Sequence, residues 1–244
     1  MNEAEPLIRM RARVDSMESS PEQEEQRPPP ELVSSDEPRR FALELFGKER
    51  LAIFGIALLV ELAIFFTAMM VPIAPAQQQD LVNQANNLLN STGNQTPFGI
   101  FSAIFSNNAR VALIDLVPAA GAALFVASIF TTGQVIQALA LSKGLPGPLF
   151  GVSLFLFPFA LVELSAYAIA VASGTMLIVS WRRRTLGREI RMFVFEVIAV
   201  VLCVLVAAIM ETGTILAPLA SLSLWLPTGV AIFALVVASR GVGQ

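Results

Sequence analysis

Apolar positions gather along this chain in long blocks, not in the alternating or one-sided patterns of a soluble fold. The first 40 residues are polar, with Pro28-Pro29-Pro30 and Ser34-Ser35-Asp36-Glu37-Pro38 as their plainest stretches. Such a segment has too little apolar surface to order itself, so a disordered tail is expected over residues 1–40. Residues 41–50 mix Phe41, Leu43, Leu45 and Phe46 with Lys48 and Arg50, behind Arg39 and Arg40, and suit the cytoplasmic membrane surface. The apolar blocks then begin. Residues 51–71 are long enough to cross a bilayer at about 1.5 Å per residue. Further spans are predicted over residues 108–130, 133–157, 161–181, 192–210 and 222–237. Gly144-Leu145-Pro146-Gly147-Pro148 interrupts the third.

The predicted fold is therefore all-α. It is a polytopic transmembrane helix bundle of about six spans over residues 51–240, with a broken third span, a disordered N-terminal tail and a juxtamembrane segment at 41–50. Between the first two spans, residues 77–107 read as an external polar loop whose one charge is Asp80. That loop holds two N-glycosylation sequons, at Asn90 and Asn94, which matter only if it is external. Its residues 97–105 form an apolar patch that either lies on the membrane or covers the bundle.

Composition sharpens this picture. The chain is 55% hydrophobic and 14% charged, against roughly 25% charged in soluble domains. Residues 1–50 hold 8 of the 16 Lys+Arg and 12 of the 19 Asp+Glu, which leaves 8 basic and 7 acidic groups for the other 194 residues. The chain has no His and a single Cys, Cys203, inside an apolar run. A His-based triad, a His metal site, a disulfide framework and a cysteine metal cluster are all excluded. The Gly-rich stretch at 144–148 lacks the Lys-Ser/Thr of a phosphate loop and reads as a membrane turn. A pI near 5.1 argues against nucleic acid as a partner. No cofactor, metal or catalytic set is expected, and the chain reads as a non-enzyme.

Basic residues orient the spans. The tail arginines and the stretch Arg182-Arg183-Arg184-Thr185-Leu186-Gly187-Arg188-Glu189-Ile190-Arg191 belong on the cytoplasmic side. Six spans place both termini and Arg240 inside, in a multi-pass plasma-membrane protein, with the sequon loop and residues 211–221 outside. Were residues 133–157 a re-entrant hairpin, the count would be five and one basic region would face the wrong side.

Charges inside spans are expensive, at least about 2.5–3.5 kcal/mol near the centre on insertion scales. Asn108, Ala112, Asp115, Ala119 and Ala122 share one helix face by spacing, as do Glu163, Ala166, Ala170 and Gly174, and again Cys203, Ala207 and Glu211. Small residues beside each acid allow close helix approach and place the acids inside the bundle. Asp115, Glu163 and Glu211 should converge in its outer half, with Asn107, Asn108, Arg110 and Lys143 as available partners. This candidate buried polar cluster reads either as a pocket, ion route or docking site, or as structural pairs that fix helix register. Glu61 is expected to face another span, and Glu196 to snorkel to the cytoplasmic face.

Four short motifs, in order, resemble the stage II sporulation protein M family, a family of integral membrane proteins with bacterial and archaeal members. They are Ile104-Phe105-Ser106-Asn107-Asn108-Ala109-Arg110-Val111-Ala112-Leu113, then Thr132-Gly133-Gln134, then Phe157-Pro158-Phe159-Ala160-Leu161-Val162-Glu163, then Ala207-Ala208-Ile209-Met210-Glu211. Where the family tends to carry Pro-His-Gly, this chain has Pro158-Phe159-Ala160, so a role that needs imidazole there is lost. The resemblance implies a non-enzymatic membrane component of a cell-envelope machine. Membrane lipid, protein partners such as an envelope hydrolase or an ABC-type ATPase, or a second copy of the chain are the expected partners. The expected function is a scaffold or subunit of an envelope-remodelling complex. A transporter or permease-like subunit paired with a separate ATPase is the alternative, favoured by the broken span and the buried acids.

Overall fold

The computed structural model describes residues 47–93 and 96–230. The tail, most of the juxtamembrane segment, Asn94, Arg240 and the second half of the expected sixth span lie outside them. The described residues hold helices and no strand, in keeping with the all-α expectation. In chain order the helices are α1 (Lys48–Ala68), α2 (Pro75–Gly93), α3 (Pro97–Asp115), α4 (Ala120–Ser142), α5 (Gly147–Leu154), α6 (Pro158–Arg182), α7 (Leu186–Leu216) and the single turn α8 (Pro218–Ser221). A 3-10 turn at Leu222–Leu224 leads into helical residues 225–230. Four helices, α1, α4, α6 and α7, are long and apolar enough to cross a membrane.

Within the polar segment 77–107, residues 77–93 and 97–107 are helical where a loop was expected. Pro75 starts α2 at a position that needs no N–H, and Gln, Ala and Leu then sustain it. Thr96 opens α3, its hydroxyl accepting from the Gly99 N–H at 3.2 Å with Pro97 at the first position. The apolar patch at 97–105 is the first half of α3. There Phe98, Phe101 and Phe105 line up, the last two stacked with centroids 5.8 Å apart.

Two expected boundaries move. The predicted span 108–130 is two helices, because α3 stops at Asp115 and α4 starts at Ala120. Between them Pro118 supplies no N–H, and Ala119 adopts φ 65° and ψ −54°. The Ala120 N–H reaches back two residues to the Pro118 carbonyl at 2.8 Å, while the Gly121 N–H donates to Val117 O at 2.7 Å. This is a γ-turn of the rare positive-φ kind, strained for an alanine. The expected boundary before Gly133, by contrast, does not exist. Thr131 and Thr132 return their hydroxyls to the carbonyls of Ala127 and Ser128, and α4 runs straight through. The interruption at 144–148 is present, but as a helix cap. Gly144 sits at φ 69°, with Gly144 N–H bonded to Leu141 O and Leu145 N–H to Ala140 O. That pair of bonds is a Schellman closure, and Pro146 bars continuation. The eight-residue α5 follows instead of the rest of a span.

Close packing fixes which ends of the helices coincide. Arg183 at the end of α6 holds Glu49 at the start of α1 through two 2.8 Å hydrogen bonds. Arg50 pairs with Glu189 and Glu196 near the start of α7. The start of α1, the end of α6 and the start of α7 thus share one end of the bundle, the Lys48 end. The start of α1 and the 182–191 turn therefore lie together. At the opposite, Ala68 end, Gln134 of α4 donates its side-chain amide to the Ala68 carbonyl. A Cβ on Gly133 would strike Ala68 and Phe65, so only glycine lets α4 approach α1 this closely. Phe155, just past α5, stacks on Phe66 at 6.0 Å.

The course of α3 and α4 follows. Gly174 of α6 lies against the backbone of Leu116; a Cβ there would meet Leu116 O at 2.9 Å. Gly174 is seven residues from Trp181, about 10 Å along the helix. On α4, Ala120 is 14 residues before Gln134, so it lies about 21 Å below the Ala68 end. Helices α3 and α4 therefore form a hairpin that enters from the Ala68 end, turns at residues 116–119 partway through the bundle, and returns. α3 packs along α7 and α6, and α4 against α1. The core between them is Phe65, Met69, Ala112, Leu116, Phe125, Ile129, Ala166, Tyr167, Ala170, Val200 and Val204.

Candidate functional site

Four helices each carry one buried or half-buried carboxylate. Glu61 comes from α1, Asp115 from the last residue of α3, Glu163 from α6 and Glu211 from α7. Glu61 and Asp115 are 0% and 1% exposed. All four of their carboxyl oxygens are without a hydrogen-bond partner among the described residues. Glu163 and Glu211 are partly exposed. The Tyr167 hydroxyl, one turn on from Glu163, donates to Glu163 Oε1 at 2.7 Å. Glu61 feels the charges of Asp115 and Glu163, and Glu211 that of Glu163. Tyr167 itself is buried.

Local sequence explains why these acids face inward. On α6 the residues following Glu163 at helical spacing are Ala166, Ala170 and Gly174, all buried, and they draw the neighbouring helices close. On α7 the buried Ala207 and Ala208 do the same below Glu211. On α3, Asn108, Ala112 and Asp115 form one buried stripe. The expected continuation of that stripe to Ala119 and Ala122 is lost, because the helix ends at Asp115 and both alanines are exposed.

Of the acids read from sequence, Asp115 is buried and Glu163 and Glu211 are half-buried, and Glu61 is buried as well. The expected partners make no bond to them among the described residues. Asn108 is buried on α3 and accepts from the exposed Asn107 at 3.1 Å. Arg110 is exposed, a little more than one turn before Asp115. Lys143 is exposed at the end of α4, 5.3 Å over the Phe150 ring. The acids thus lack the cations expected beside them. Helix rotation is the reason: Arg110 is five residues from Asp115, which turns it to another face.

The buried cation is elsewhere. Arg50 bridges Glu189 and Glu196 at the Lys48 end, and its guanidinium also contacts the Met192 sulfur at 3.2 Å. Glu196 was expected to snorkel; it is buried in this triad instead. Arg50, read from sequence as part of a membrane-surface segment, is 8% exposed. The available signal was its spacing: Glu189 and Glu196 lie two turns apart on one face of α7, which a single forked guanidinium can span. Further out, Glu49 hydrogen-bonds Arg183 and holds its guanidinium above the usual arginine range. Among the described residues no group of three or more acids and Cys could hold a metal ion.

The stage II sporulation protein M family model matches residues 51–214, from the first turn of α1 to the last turn of α7. The chain belongs to that family. The matched region contains the hairpin and all four acids. No curated protein and no solved structure matches the chain. Family membership and the four long apolar helices make it a membrane protein.

Proposed function

We propose that this chain is a non-enzymatic scaffold or subunit of a cell-envelope remodelling complex in the plasma membrane. The observation that carries this reading is the cross-bracing of the bundle. Arg50 ties α1 to α7, Arg183 ties α6 to α1, and the hairpin packs on glycine against α6. Bracing of that kind suits a platform that presents fixed surfaces to partners. The Lys48 end carries Lys48, Arg182, Arg183, Arg184, Arg188 and Arg191, and by the positive-inside rule it is the cytoplasmic end. In this reading both termini are cytoplasmic and α2 lies on the external side.

The second reading is a permease-like subunit that works with a separate ATPase. The helix break at 116–119 beside buried carboxylates favours it, since broken helices line substrate sites in many transporters. Purification from native membranes followed by mass spectrometry separates the two. Stable recovery of an envelope hydrolase supports the scaffold. Recovery of an ABC-type ATPase supports the permease, and recovery of the chain alone argues against both.

A further inference from the structure

We propose that the Lys48 end of the bundle binds the headgroups of anionic phospholipids through Lys48, Arg182, Arg184 and Arg191. All four side chains are exposed. The ion pairs of this end go to other residues: Arg50 takes Glu189 and Glu196, and Arg183 takes Glu49. No acid of the described residues at this end is left to balance the four cations. Their counter-charge has to come from outside those residues.

Three helices put these cations at one level. On α1, Lys48 is followed three residues on by the exposed Leu51, and on α7 Arg191 is followed three residues on by the exposed Val194. On α6, Trp181 is 70% exposed and immediately precedes Arg182. The outer surface of each helix therefore changes between cationic and apolar within one turn. In a membrane that border is where hydrocarbon gives way to headgroups, and tryptophan is enriched there. A lipid phosphate lies at this level, with its chains free to run along Leu51 and Val194. An acidic protein in solution would meet the cations from the water side alone and leave the apolar half of the border unused.

The turn between α6 and α7 holds its arginines in place. Arg184 closes α6 at φ 60°, its N–H bonded to the Trp181 carbonyl at 3.2 Å and the Thr185 N–H to the Ser180 carbonyl at 2.9 Å. Arg183 is tied to Glu49, so Arg182 and Arg184 on one side and Lys48 on the other flank a single ion pair. Guanidinium N–H groups donate in a fork that matches phosphate oxygens. A zwitterionic headgroup carries the same phosphate but brings its own ammonium among the cations, so net charge decides between the two lipids. This binding requires only that the Lys48 end lie at a membrane surface, and it holds for a scaffold and for a permease alike.

Native mass spectrometry of the full chain, released from micelles holding equal phosphatidylglycerol and phosphatidylcholine, tests this. Wild type should retain phosphatidylglycerol in preference by about fivefold or more, the worth of one cation near an anionic surface. Arg182→Gln, Arg184→Gln and Arg191→Gln together should bring the ratio close to one, while Lys143→Gln, at the end of α4, should leave it unchanged. Should the triple variant fail to insert, Lys48→Gln with Arg191→Gln carries the same comparison. In nanodiscs, replacing phosphatidylcholine by phosphatidylglycerol should raise the melting temperature of wild type more than that of the variant, and high salt should narrow the gap. Equal retention of the two lipids by wild type overturns the proposal. So does a preference that the variants keep, or that Lys143→Gln also loses. Inorganic phosphate that displaces phosphatidylglycerol, or stabilises wild type as well in phosphatidylcholine, would make the site one for a soluble anion and likewise overturn it.

Discussion

The two ends of α1 bury acids and bases under opposite rules. At the Lys48 end Arg50 lies between Glu189 and Glu196, so charge meets charge and the ion pairs themselves join the helices. About three turns further, Glu61 is buried with no hydrogen-bond partner and no cation, and there the helices meet on alanine and glycine. The same helices, α1 and α7, contribute to both places. Burial alone therefore does not tell what an acid does in this bundle; its neighbour does.

That contrast breaks most sharply at Arg50. Arg50→Met leaves Glu189 and Glu196 buried without a cation and should cost about 3–5 kcal/mol, read by thermal unfolding in detergent. Adding Glu189→Gln and Glu196→Gln should recover most of the loss, because the uncompensated charges disappear with them. If the triple variant is no better than Arg50→Met, the triad is not an electrostatic brace.

Next in size is Gly174→Val. Its side chain would occupy the space of the Leu116 backbone and push the hairpin tip off α6, at about 1–3 kcal/mol. A spin label at residue 117, on a Cys203→Ser background, should report the displacement. An unmoved label would show that the tip does not depend on this contact.

A smaller change is expected at the Lys48 end. Arg184 occupies the left-handed position of a Schellman closure, with Thr185 N–H bonded to Ser180 O at 2.9 Å. Arg184→Gly should stabilise the α6–α7 turn by up to about 1 kcal/mol, since glycine bears no Cβ penalty there. A lower melting temperature would mean that the guanidinium matters more than the turn.

The smallest effect is expected at Glu61. Glu61→Gln keeps the shape of the side chain and breaks no ion pair or hydrogen bond among the described residues, so its stability should fall within roughly 0.5 kcal/mol of wild type. A loss as large as that of Arg50→Met would erase the distinction between the two regions.

The apolar blocks were legible because lipid demands nearly unbroken runs, and α1, α6 and α7 lie close to where hydropathy put them. The hairpin turn was not legible. Residues 108–130 are apolar on both sides of Pro118, and hydropathy does not register where a backbone reverses. Pro118 was the one local signal, and in membrane helices proline is compatible with a continuous span. Within the site, helical spacing identified Asp115, Glu163 and Glu211 as inward-facing, because small residues mark the inner face. It failed for Arg110 and Lys143, whose placement near the acids rested on depth without rotation. Glu61 lies among Leu59, Val60 and Leu62, where no small-residue stripe flags its direction. The Arg50 triad was missed because charges at span ends were assumed to reach for water.

The hairpin has a consequence for how the protein is made. Its tip rests on Gly174 and its first arm packs along α7, yet both partners are synthesised after it. During synthesis α3 and α4 therefore leave the ribosome before anything exists to receive their turn. The hairpin must wait at the bilayer surface or in the insertion machinery, and slot into place only once α6 and α7 have arrived. A ribosome halted after α4 should consequently display the turn in a water-accessible state that the finished protein lacks.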